Sequence, residues 1–134
     1  MLEIEILVGE QDAASGRVPT PEEVRRLCAL AAGAGGIGDG HLAIEFVDER
    51  HMAELNARHR GRRGATDVLS FPVDETGPGQ GARELGDVVI CLRHTADVPE
   101  AIVHGVLHLI GMDHETDDGE MLTVQRELLA QGSA

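Results

Sequence analysis

Lysine, tryptophan and tyrosine are absent from this chain, and its aromatic rings are two phenylalanines, Phe46 and Phe71. A core poor in rings must be built from Leu, Val, Ile and Ala. The scarcity also argues against nucleic-acid bases stacked along an aromatic platform. Cysteine is as rare: Cys28 and Cys91 stand far apart in apolar segments. They match no zinc ribbon and no CxxC pair. A small secreted domain carries more cysteine, so the count suits a reducing cytoplasm, and both thiols are expected as small core residues. No apolar run reaches the length of a membrane span. Residues 1–6 alternate between acidic and apolar without a basic stretch, which argues against a secretory signal. The expectation is a cytoplasmic protein without a membrane partner.

What the chain does have is negative charge. Its 134 residues carry a formal net charge of -13, and all 11 basic residues are arginines. The length supports one core, and 42% apolar composition separates the chain from disordered sequences. A single domain over residues 1–134 is expected. So acidic a chain does not attract nucleic acid through its overall field, and any such binding needs a local basic patch. The candidate is Arg50, Arg58, Arg60, Arg62 and Arg63. The plain alternative for such a cluster is a solvated charged face.

Alternation of Leu2, Ile4, Ile6 and Val8 reads as a strand. Thr20-Pro21-Glu22-Glu23 starts a helix that turns Val24, Leu27, Cys28 and Ala31 inward and fails at Gly33-Ala34-Gly35-Gly36. Residues 41–47 form a second strand, and Asp48 opens a short helix to about Asn56. Residues 58–65 are polar and broken by glycine, hence loop. Val68 to Phe71 is a strand stopped by Pro72, and residues 74–82 are a flexible connection. An apolar strand from Asp87 to Leu92 follows, then a helix from Asp97 to Ile110 and a last helix over about 118–130. Clustered strands with inserted helices point to an α+β domain, helices packed on one small sheet.

Chemistry concentrates in His104-Gly105-Val106-Leu107-His108-Leu109-Ile110-Gly111-Met112-Asp113-His114. His104 and His108 lie one helical turn apart on one face. Gly111 ends the helix in a left-handed turn, so His114 can return to the same point. Three imidazoles with an open fourth position make a catalytic-type zinc shell. The helix is apolar nearly all round, hence buried, and burying two histidines on one stripe is costly without a partner. The spacing is that of the protease pattern HExxHxxGxxH, but Gly105 replaces the glutamate that serves as general base, which argues against peptide hydrolysis.

Three blocks resemble the YbeY family of bacterial endoribonucleases, also described as rRNA maturation factors. They are Leu55-Asn56-Ala57-Arg58-His59-Arg60 with Thr66-Asp67-Val68-Leu69-Ser70-Phe71-Pro72; Leu85-Gly86-Asp87-Val88-Val89-Ile90; and the histidine segment through Glu115. The resemblance implies a zincin-like three-histidine site, with one Zn2+ per chain on His104, His108 and His114. It implies a mixed sheet of about four strands with helices around it, and a role for Arg60 in RNA cleavage. It further implies processing of the 3′ end of small-subunit rRNA, late ribosome quality control, and contact with the small subunit or a ribosomal protein. The chain departs from the family pattern at His59, Ala65 and Met112, and between Asp87 and His104 it is shorter by about two helical turns.

The expected chemistry is metal-assisted cleavage of a phosphodiester bond in single-stranded RNA. Arg60 would clamp the phosphate, and Arg58, Arg62 and Arg63 would hold the backbone. The general base is open among hydroxide on the metal, the substrate 2′-hydroxyl, and Asp113 or Glu115, which serve alternatively to orient the imidazoles. Asp67 and Asp87 are expected to brace the sheet. Two other functions fit the residues: a non-enzymatic ribosome-assembly factor with structural zinc, and a metal-dependent hydrolase of another substrate.

Overall fold

The computed structural model describes residues 2–61, 64–73, 84–112 and 119–132, with the backbone alone at Arg60 and Gly132. The sheet follows from the alternation. Strand β1 (Leu2–Val8) lies parallel to β2 (Gly40–Val47), and β2 lies parallel to β4 (Glu84–Cys91). Strand β3 (Val68–Pro72) runs antiparallel to β4 and forms the edge, giving the order β1-β2-β4-β3. Among the described residues there are also five α-helices: α1 (Glu10–Ala14), α2 (Pro21–Ala34), α3 (Glu49–Arg60), α4 (Val98–Leu109) and α5 (Glu120–Gly132). This is the expected small α+β architecture, with a four-stranded mixed sheet.

The principal core lies where α2, α4 and α5 meet one face of the sheet. Leu42, Ile44 and Phe46 of β2 and Val88 and Ile90 of β4 pack there against Val24, Leu27, Ile102 and Val106. Phe46 is the only ring buried in it among the described residues, and the rest is aliphatic. Cys28 belongs to this core, and burial pushes its thiol pKa up to about 12. Helix α3 covers a smaller cluster on the other face, Val47, Met52, Leu69, Val89 and Cys91. Both cysteines are free and buried. No described helix is long and apolar enough to cross a membrane.

Capping explains the helix boundaries. Thr20 accepts a hydrogen bond from the Glu23 amide at 3.2 Å, with Pro21 at the first helical position. Asp48 and Asp97 cap α3 and α4 the same way, accepting from His51 and Glu100. Three elements differ from the sequence expectation. Helix α3 continues past Asn56 to Arg60 and stops at Gly61, which has φ 65. Arg58 and His59 are polar because they are exposed, and no breaker precedes Gly61. Strand β4 starts at Glu84 rather than Asp87, passing through Gly86 at φ 127. A Cβ there would meet the Phe71 carbonyl oxygen, so only glycine lets β3 approach. Helix α1 has no counterpart in the expectation.

His41 sits across three strands, and its Nδ1 pairs with Glu84 Oε2 at 2.9 Å. Its Nε2 lies 3.7 Å from Glu5 Oε2. The hydrogen bond to Glu84 raises its pKa above the usual histidine range, and the charges of Glu84, Glu5 and Glu3 add to this, while burial opposes it. Nearby Asp87 is raised too, first by burial and then by Glu84. A folded-state pKa above the unfolded value means the His41 contribution is complete below about pH 6.5 and fades as pH climbs through the folded pKa. His41→Gln should therefore lose stability against wild type at about pH 5.5 and little at about pH 9 in urea titrations. An equal deficit at both would remove the ionic account.

Candidate active site

Helix α4 is buried along most of its length between the sheet, α2 and α5. Its two half-buried histidines turn toward an open groove of about 1090 Å³. His104 Nε2 and His108 Nε2 lie 3.1 Å apart, with ring centroids 4.7 Å apart and planes at 75°. Two nitrogens on one tetrahedral zinc stand about 3.3 Å apart, given bonds of 2.0–2.1 Å. The pair thus has the span of two ligands on one ion. Gln125, buried on α5, places Oε1 2.9 Å from His104 Nδ1. That carbonyl accepts the Nδ1 proton, which leaves Nε2 as the basic nitrogen facing His108.

The helix ends as its glycine requires. The Gly111 amide donates to the His108 carbonyl and the Met112 amide to the Leu107 carbonyl, both at 3.1 Å, with Gly111 at φ 101. The chain leaves α4 there toward His114. His114, Asp113 and Glu115 lie outside the described residues, as do Arg62 and Arg63. Among the described residues no group of three His, Cys, Asp or Glu side chains gathers to hold a metal.

The second motif position has a steric reason. A Cβ on Gly105 would sit 2.4 Å from Val88 Cγ1. Position 105 faces the sheet, so a side chain there has no room. Ser70 Oγ donates to the Gly105 carbonyl at 3.0 Å and ties edge strand β3 to α4. Asp67 braces the start of β3: its carboxylate accepts from the Val68 amide at 2.9 Å and its carbonyl from the Cys91 amide at 2.8 Å.

Beyond β3 the groove is bounded by α3, whose exposed His59 lines it. Arg60 follows in the last turn of that helix, and Arg58 is exposed. Asn56, buried, donates from Nδ2 to the Gly64 carbonyl at 2.9 Å and so ties Gly64 to α3. Sequence reading passed over Asn56 and Gln125. Each is a buried amide whose partner is remote in sequence or lies in a loop. Arg17 donates through its two terminal nitrogens to the carbonyls of Leu92 (2.5 Å) and Thr95, fixing the short link from β4 to α4.

Residues 21–133 match the family described as Endoribonuclease YbeY. The chain belongs to that family. A relative named Endoribonuclease YbeY from Stutzerimonas stutzeri is 35% identical over 145 aligned positions, covering 98% of this chain and 88% of its own length. Another of that name from Thermobifida fusca is 42% identical over 108 positions, covering 66% and 70%. The solution structure of TM1509 from Thermotoga maritima superposes with a TM-score of 0.55 at 25% identity, over 98% of this chain and 89% of that one. The first alignment is longer than this chain, so the relative carries residues that this YbeY protein lacks.

Gly105→Ala tests the packing beneath the histidines. Overpacking against the stiff Val88 side chain costs about 1–3 kcal/mol and outweighs the helix propensity gained, up to about 1 kcal/mol. The urea midpoint should fall with an unchanged slope. A midpoint at or above wild type would mean α4 shifts freely on the sheet.

Proposed function

We propose that this YbeY-family chain is a zinc-dependent endoribonuclease that cuts single-stranded RNA, acting in the cytoplasm on small-subunit rRNA precursors at their 3′ ends and in ribosome quality control. The small ribosomal subunit, or a protein of it, is the partner. The observation that carries the reading is the His104–His108 pair, converging at ligand spacing in a groove, in a family whose relatives bear the name endoribonuclease.

His104, His108 and His114 are the residues that would hold the zinc. Bound there, it would supply a Lewis acid for a phosphoryl oxygen and acidify a water. The protein's own contribution is orientation. Gln125 holds the His104 ring in the tautomer whose Nε2 lone pair points at His108. Ser70 keeps β3 against α4, so the groove wall and the imidazoles move together. Arg60, ending α3 beside His59, is assigned to grip the phosphate and balance the charge that develops on it; its planar fork suits two phosphate oxygens. Arg58, Arg62 and Arg63 would steady the backbone on either side. Asp113 and Glu115 flank His114 in sequence and are assigned to orient its ring or accept the proton of the attacking hydroxyl.

Purified protein should cleave a labelled single-stranded RNA, and His114→Ala, folded by circular dichroism, should not. A chelator should abolish cleavage and added zinc restore it. Equal cleavage by both proteins, or none by either at full zinc occupancy, would sink the nuclease reading in favour of an assembly factor. Gln125→Leu should weaken zinc binding by about 10–100-fold in a chelator competition. Unchanged affinity would leave Gln125 a packing residue only.

A further inference from the structure

Away from the histidine pair, the described part of the groove carries negative charge. Its charged lining there consists of Asp67, Asp97 and Glu100, together with histidines. On a chain of net charge -13 these carboxylates repel an RNA backbone. A contact that does not depend on charge would offset that repulsion.

One such contact is present. His59 of α3 and Phe71 of β3 meet edge on, with ring centroids 4.8 Å apart and planes at 67°. Both line the same groove as His104 and His108. His59 is exposed, while Phe71 is half-buried against Leu69 and Val89 and backs the histidine ring. Phe71 alternates along β3 with Ser70, the residue bonded to α4. The ring pair and the imidazole pair therefore lie on opposite sides of one edge strand, and the groove runs around that edge. Unpaired bases of RNA are bound by stacking on Phe, Tyr, Trp or His rings, whatever the base.

We propose that His59, backed by Phe71, is a stacking subsite for one unpaired base of the RNA, next to the bond that is cut at the histidine pair. The subsite rests on the nuclease reading and specifies how that site takes a single strand. An extruded base fits against the exposed ring; a base held in a duplex cannot turn out across the β3 edge without breaking its pair. Composition argues against a broad aromatic platform, but one base needs one ring. The grip is insensitive to salt, because no counterion is released when a neutral base stacks.

The test uses the zinc-loaded full chain and short single-stranded RNAs, each with 2-aminopurine at a different position. Fluorescence and anisotropy are read at times before cleavage appears on a gel. Wild type should quench the probe most at one position beside the cut. His59→Ala should lose that quenching and bind about fivefold more weakly or worse, equally at low and high salt. His59→Phe should restore both. His59 is exposed, so neither change threatens folding. If His59→Phe behaves like His59→Ala, and the salt slope drops by about one, the residue grips phosphate and the stacking subsite is wrong. His59→Ala binding and quenching as wild type also overturns it. If wild type neither binds nor cuts any single strand, the nuclease reading fails and takes the subsite with it; if wild type cuts normally, the subsite alone is judged.

Discussion

The close seating of α4 on β4 is the constraint on which the rest depends. Gly105 lets the helix axis approach until the place of a Cβ is already filled by Val88. Almost every other inward position of α4 is apolar and buried, so the helix is a structural axis for α2, α5 and two strands at once. His104 and His108 ride on the one stripe that escapes that packing. Their geometry is inherited from a rigid core rather than from a loop, which is what a site needing two ring nitrogens 3.1 Å apart requires.

Everything around the histidines adds fixed walls to that axis. Ser70 bonds the helix to the sheet edge, Gln125 reaches in from α5, and Arg17 clamps the carbonyls of the link from β4. That link is short here: β4 passes through a single 3-10 turn, Leu92–His94, and α4 begins at Val98. Glu49 at the start of α3 joins the turn through Arg93 at 2.7 Å and His94 at 3.2 Å. The connection is thus tied both to α3, through Glu49, and to Arg17.

Much of this was legible in residue order. Thr20, Asp48 and Asp97 mark helix starts because a capping side chain acts within its own turn. Gly111 marks the end of α4 because a left-handed residue is required there. The end of α3 is hard to read in sequence: residues 58–65 are polar and rich in glycine, as a loop is, yet an exposed helix face is just as polar. The start of β4 is hidden because Glu84 to Gly86 lack the apolar run of Val88 to Leu92, and Gly86 at positive φ serves close strand approach. Gln125 and Asn56 carried no periodic or motif signal, because an amide's value depends on which remote group it faces.

Residue order alone carries the strand and helix succession apart from α1, the capped starts of α2, α3 and α4, the aliphatic core and the one-turn spacing of His104 and His108. All are set by interactions within a few residues, or by composition. Only the tertiary structure decided that β3 lies at the edge, that His59 and Phe71 meet around it, and that Gln125 selects the His104 tautomer. It also decided that Gly105 faces the sheet where an added Cβ would press on Val88. These are contacts between segments far apart in the chain, created when burial of apolar faces forces the layers together, and no local pattern encodes them.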